Sequence, residues 1–327
     1  MKLNGCLTIA ACLVCSAALA QWRWEPGDGW RDADAAKIDK AVEKPLAPPI
    51  PDAPRSGPAD YAKALASLKA GDNEAAAKGF DRFLKKKPAS ALIPQGHFWR
   101  GVALKRQGKL WEAHESFRRY MEIAPGGPLK VYALRQEVAI GRAFIEGAKR
   151  SFLGLEIFSA FDDGIGILTG VAAHDPSGVI ARDSSLLAAD RLFDAKKYKE
   201  AQVEYEFFIT NFPESRHFDR ANLRRLECRF LQFKDTEHDV APLMEARDGF
   251  RVIERTASDF AVVEKAKEYL KETVNLLAQH DFAVALYYLK QKKTESGAFY
   301  LRSVVGNYPG TRWAQRAQTL LEKLNAE

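Results

Sequence analysis

The 327-residue chain predicts an all-α fold, a right-handed superhelical solenoid of about six helix pairs with a C-terminal capping helix. One observation is a recurring set: a small residue, an aromatic four on, another three further, and proline five beyond. It appears as Ala76, Phe80, Phe83, Pro88, as Ala113, Phe117, Tyr120, Pro125, and as Ala201, Tyr205, Phe208, Pro213. A second is the step between copies, 37 residues from Pro88 to Pro125 and 37 again from Pro176 to Pro213. Self-similarity at such a period marks repeat architectures, in which no unit buries its apolar face alone and stacking builds the core.

The elements follow in chain order. Met1 and Lys2 lead an apolar stretch from Leu7 to Leu19 that ends in Ala18, Leu19 and Ala20 before Gln21, the pattern of a secretory signal over residues 1–20. The stretch is too short to span a bilayer, which takes about 20 apolar residues. A competing reading is lipidation at Cys12, because Ile9, Ala10, Ala11 and Cys12 resemble a lipobox; cleavage there would strand LVCSAALA on the mature end, so cleavage after Ala20 is preferred. Residues 21–58 then hold Trp22, Trp24 and Trp30, a charged stretch and LAPPIPDAPRSGP, which together read as a flexible arm and linker. Its indoles either cap the first repeat or dock on a partner or a membrane surface, because an exposed indole is costly to leave in water.

The solenoid is expected over residues 59–325. In each copy the small and aromatic positions lie at i, i+4 and i+7 on one helix face, so the small residue admits a neighbouring helix and the rings fill the space above it. Proline then stops the helix. In the second copy a preceding helix is visible, with Gly101 permitting close approach, Leu104 on the apolar stripe and Gly108 in the turn before Trp111; Gly71 repeats that turn in the first copy. Three further copies are degraded. Gly164, Leu168, Val171, Pro176 and Gly297, Leu301, Val304, Pro309 put glycine for alanine, and Ala246, Phe250, Ile253 end on Ser258. Two expansions interrupt the register: AKRSFLGLEIFSAFDDG, which stretches the step from Pro125 to Pro176 to 51 residues, and KDTEHDVAP after Cys228.

These copies resemble the tetratricopeptide repeat, whose period of about 34 residues is slightly shorter. The stretch from Leu276 to Leu324 resembles more specifically the outer-membrane assembly lipoproteins of the BamD (YfiO) type. In that family a long helix ends in an alanine and paired tyrosines, here Ala285, Tyr287 and Tyr288, runs into a basic turn, here Lys290, Lys292 and Lys293, and leads to a helix closed by tyrosine-proline, here Tyr308 and Pro309. Phe212, Pro213, Glu214 and Ser215 match the same family's repeat ending. The resemblance implies a non-catalytic scaffold at the periplasmic face of the outer membrane. It also implies protein partners, namely the barrel-assembly insertase and unfolded outer-membrane proteins, and an N-terminal lipid anchor.

On the repeat pattern, a groove lined by the first helix of each pair would take a peptide segment, with Gln95, Phe98, Val102, Lys105 and Arg106 offered in the second copy. Tyr287, Tyr288, Lys292 and Lys293 are expected at the opposite, machinery-facing end. An alternative is a repeat adaptor that coordinates peptidoglycan synthesis with the outer membrane. An enzyme such as a transglycosylase is a third class; it needs a glutamate in a deep cleft beside aromatic platforms, which the sequence does not display.

Other features carry little chemistry. The formal charge of +6 falls to +5 without Lys2, and its lysines gather at helix ends (Lys85 to Lys87, Lys196, Lys197), where the macrodipole favours cations. A nucleic-acid surface would need basic residues interleaved with exposed aromatics along one face, and no such surface is expected. No cofactor is expected either. GIGILTG, from Gly164 to Gly170, lacks the spacing of a dinucleotide fingerprint and a preceding strand, and reads as a packed helix. His97, His114, His174, His217, His238 and His280 lack the spacing of a zinc helix and are expected on surfaces and turns, with His280 and Asp281 pointing apart. Asp162 and Asp163 are expected to cap a helix. Cys228 would be the one cysteine left after cleavage at Ala20, expected as a buried apolar residue.

Overall fold

The computed structural model describes residues 23–25, 29–31, 46–52, 58–86, 91–152, 155–233 and 239–326. The chain divides into two units, 1–44 and 45–327. The expected signal, Cys12 and Trp22 lie outside the described residues, as do Lys87, Pro88 and His238. In the first unit β1 (Arg23–Glu25) and β2 (Gly29–Arg31) pair antiparallel, with Trp24 opposite Trp30.

The second unit is built from helices. In chain order they are α1 (Ala59–Lys69), α2 (Asn73–Lys85), α3 (Ile93–Arg106), α4 (Leu110–Ile123), α5 (Lys130–Ile145), α6 (Phe161–His174), α7 (Val179–Asp194), α8 (Tyr198–Asn211), α9 (Phe218–Leu231), α10 (Ala241–Thr256), α11 (Phe260–Lys290), α12 (Thr294–Asn307) and α13 (Arg312–Ala326). Each packs on the next in the chain, giving six pairs and a terminal helix among the described residues. Contacts also link α1 to α3, α5 to α7, α9 to α11 and α11 to α13, whereas no comparable contact joins even-numbered helices. The row whose members touch has the closer spacing, so the odd helices form the inner row of a curved stack.

The triplets fall where the periodicity puts them. Ala76, Phe80 and Phe83 on α2, Ala113, Phe117 and Tyr120 on α4, Ala201, Tyr205 and Phe208 on α8, and Ala246, Phe250 and Ile253 on α10 are all buried, as are Gly164, Leu168 and Val171 on α6 and Gly297, Leu301 and Val304 on α12. The small position is sterically required. A Cβ on Gly164 would come 2.6 Å from the carbonyl oxygen of Gly141 in α5, so α5 and α6 cross with backbone against backbone. Gly101 faces the Phe117 ring in the same way, with 2.8 Å left for a Cβ.

The expansion after α5 is now placed. It forms β3 (Lys149–Phe152) and β4 (Leu155–Ser159), antiparallel strands inside the third pair that replace its turn while α5 and α6 still pack. The hairpin is an insertion within a stack that otherwise keeps the expected all-α architecture, and its cue is an apolar run centred on Gly154. It also corrects the reading of GIGILTG: a strand does precede it, but the glycines lie within α6. Of the second expansion, residues 234–238 lie outside the described residues.

Candidate functional site

The inner row corrects part of the predicted groove. Phe98 is 0% exposed, its ring edge-on to Phe117 and Tyr120 at 5.6 and 5.8 Å, and Val102 is buried as well. Phe98 fills the seam between α3 and α4 and Val102 is covered, so neither is offered to a partner. Gln95 is half-buried, and its amide oxygen, though covered, accepts no hydrogen bond. Arg106 is exposed. Lys105 is half-buried; its Nζ donates to Gln136 Oε1 at 2.8 Å, bridging α3 to α5, and burial pulls its pKa down to about 8 against the pull of nearby Glu137.

Beside it, His114 Nδ1 lies 2.6 Å from Glu137 Oε2, joining α4 to α5, and burial pushes the Glu137 carboxyl up while His114 draws it back. A second node lies between pairs four and five. Arg220 holds Asp190 at 2.8 Å, Asp190 also accepts from Tyr205 Oη, and Arg224 pairs with buried Glu227 at 2.8 Å. His217 is buried there, which lowers its pKa to about 4. The surface role expected of the histidines is therefore corrected at His114 and His217. His280 also does not point away from its neighbour: its Nδ1 is 3.0 Å from Asp281 Oδ1, while Asp281 Oδ2 accepts from Tyr308 Oη at 2.9 Å. Asp162, in the first turn of α6, binds Lys197 at 2.5 Å and makes no cap; Ala160 stands at the cap position. Cys228 is buried, and that burial raises its thiol pKa to about 12, which leaves it unreactive.

Tyr287, Tyr288, Lys292 and Lys293 do come together, at the junction of α11 and α12. Tyr288 stacks on Tyr300 with centroids 5.3 Å apart and planes 8° from parallel; Tyr287 meets Tyr288, and Phe299 meets Tyr300, edge-on at 5.6 Å each. Tyr287 is 60% exposed and Phe299 63%, and a cleft of about 410 Å³ is lined by Tyr288, Glu295, Ser296, Phe299 and Tyr300. The exposed Lys290, Lys292 and Lys293 form the turn beside this terrace. Phe299 and Tyr300 were not singled out from the sequence, although they lie five and six residues into α12 and repeat the aromatic doublet of α11. Also missed are exposed Val131, Val179 and Phe260, each at the start of an inner-row helix. Lone apolar residues at helix N-termini give no periodic signal.

Among the described residues no helix is long and apolar enough to cross a membrane, and no group of His, Cys, Asp and Glu has the arrangement of a metal site. Stacked helix pairs with exposed aromatic and basic surfaces define the class: a tetratricopeptide-type scaffold for protein interactions. The YfiO family profile, described as outer membrane lipoprotein, matches residues 161–327, and the chain belongs to that family. Solved structures similar to it include a tetratricopeptide repeat protein from Parabacteroides merdae (14% identity, 82% of this chain and 98% of that one, TM-score 0.31). Another is the C-terminal part of a TPR repeat-containing protein from Cytophaga hutchinsonii (13% identity, 86% and 92%, TM-score 0.33). No curated protein matches the chain.

Proposed function

We propose that this protein is a non-catalytic scaffold at the periplasmic face of the outer membrane that serves the assembly of β-barrel proteins. The signal over residues 1–20, or lipidation at Cys12, would deliver it there, the arm over 21–58 would tether the solenoid of 59–325, and the partners are an insertase and unfolded barrel proteins. The observation that carries the reading is the aromatic and basic terrace of Tyr287, Tyr288, Phe299 and Tyr300 with Lys290, Lys292 and Lys293, exposed within the region that the outer membrane lipoprotein family matches. Large rings held rigid by stacking give contact area at low entropic cost, the composition found at the centres of interfaces. Buried carboxylates do not favour the enzyme reading: Glu137 is engaged by His114 and Glu227 by Arg224, and neither lines the cleft of the terrace.

On the inner-row helices, Arg106, Val131, Val179 and Phe260 are exposed groups that we take as available to an extended client. A photo-crosslinking residue at Tyr287, in the native envelope, is expected to capture the insertase, and one at Arg106 to capture barrel precursors. Capture of cell-wall synthetic enzymes at both positions would reject this reading in favour of the peptidoglycan adaptor. The double variant Tyr287→Ala/Phe299→Ala is expected to weaken insertase binding by roughly tenfold or more with an unchanged melting temperature.

A further inference from the structure

The solenoid ends on α13, whose buried face is Ala314, Ala317 and Leu321. Its opposite face lines a cleft of about 500 Å³ with Arg312, Gln315, Arg316, Thr319, Leu320 and Lys323, and Phe282 of α11 closes the floor. A terminal helix needs a polar outer face for solubility, and a mixed set of charges would provide one. This face carries a single sign. None of Arg312, Arg316 and Lys323 forms an ion pair among the described residues, whereas Arg100, Arg220, Arg224, Arg229 and Arg247 all do. Glu322, on the flank, is engaged by Gln318. The guanidinium groups of Arg312 and Arg316 lie over the Trp313 ring at 4.6 and 5.1 Å, so the pair is ordered in advance and its remaining donors stay open.

We infer that this cleft binds an extended acidic segment of another protein, with carboxylates at both ends and an apolar side chain between them. From Arg312 to Lys323 the stripe is about 16 Å long at 1.5 Å per residue, too long for one phosphate and matched by about five residues of extended chain. Planar guanidinium pairs grip carboxylates bidentately, Lys323 supplies the far charge, and Phe282 with Leu320 receives the apolar residue. A lipid surface fits less well. It is planar and favours projecting aromatic wedges, while Phe282, the aromatic residue lining the cleft, is buried. The inference is independent of the client and insertase assignments, because it rests on α13 and not on the terrace.

The test uses the full chain and a fluorescent peptide, Glu-Asp-Leu-Phe-Asp-Glu flanked by Gly-Ser, read by anisotropy. Binding is expected to weaken as salt rises, and Arg312→Glu/Arg316→Glu to lose at least roughly tenfold in affinity. Lys85→Glu/Lys196→Glu, distant exposed charges, is expected to stay within about twofold. If the double-Glu variant melts lower than the parent, Arg312→Gln/Arg316→Gln replaces it, with roughly fivefold expected. Equal loss in the Lys85/Lys196 control, or none in the arginine variants, overturns the site. So does failure of the peptide while phosphatidylglycerol vesicles bind in an Arg312- and Arg316-dependent way, which would assign the stripe to lipid.

Discussion

Pairs two and four carry the same triplet on their second helices, Ala113, Phe117, Tyr120 on α4 and Ala201, Tyr205, Phe208 on α8, yet they close their seams with different chemistry. Eleven residues before the small residue, α3 has Val102 and α7 has Asp190. In pair two Phe98 packs edge-on against Phe117 and Val102 is a buried apolar side chain, with Arg100 Nη1 donating to buried Ser116 Oγ as a polar link between α3 and α4. In pair four the middle ring gains a hydroxyl, and Tyr205 Oη donates to Asp190, which in turn holds Arg220 of the next pair. Arg224 adds its guanidinium over the Phe193 ring at 4.3 Å. The triplet therefore fixes how a helix meets its partner within a pair, and the residue eleven positions before it, Val102 or Asp190, differs between an apolar side chain and a carboxylate that binds the middle ring's hydroxyl and a cation of the next pair. The turns differ too: Gly71 and Gly108 take positive φ in the first two pairs, where Lys196 and Lys292 do so at φ 59° and 58° in pairs four and six.

The largest expected effect tests the apolar side of this comparison. Phe98→Ala removes a ring between Trp99, Phe117 and Tyr120 and should cost about 4 kcal/mol, measured by urea denaturation. A loss under about 1 kcal/mol would mean that the seam is not packed as described. Next, Arg220→Ala should cost about 2 kcal/mol by leaving Asp190 without its cation in a part-buried setting, with only the Tyr205 hydroxyl still donating to it. Converting the node to the pair-two pattern, with Asp190→Val, Tyr205→Phe and Arg220→Met together, should recover most of that loss, because buried ion pairs are often replaceable by well-packed apolar groups. If the triple variant falls further than the single one, the polar seam supplies more than a substitute for apolar packing. The smallest effect concerns the turn. Lys196→Gly should stabilise by about 0.5 kcal/mol, since glycine takes a left-handed backbone without Cβ strain and its greater unfolded-state entropy offsets only part of the gain. A destabilised Lys196→Gly would show that the lysine contributes through its side chain.

Much of the fold was legible because helical periodicity is a local property. The triplets, the glycine turns and the long helix carrying Ala285, Tyr287 and Tyr288 each sit within one or two helices, so spacing alone places them. The same reasoning failed at Phe98 and Val102. Periodicity puts both on an apolar stripe but does not say whether that stripe faces the partner helix or the groove. It failed also for His280 and Asp281, where adjacent positions on a helix diverge at Cα while the side chains bend back into contact 3.0 Å apart. The terrace was half legible: the tyrosine pair and basic turn stood out, but Phe299 and Tyr300 joined them only once α12 was folded back on α11.

By itself the sequence determined that the chain makes helix pairs with small and aromatic residues turned inward, because a spacing of four and three residues selects one helix face. Only the tertiary structure decided which of those residues remain reachable, how Asp190 and Arg220, thirty positions apart, come to share a part-buried seam, and that three cations on α13 form no ion pair among the described residues. Burial and ion pairing depend on groups that meet only after the pairs have stacked, and no local pattern records which pair will stack against which.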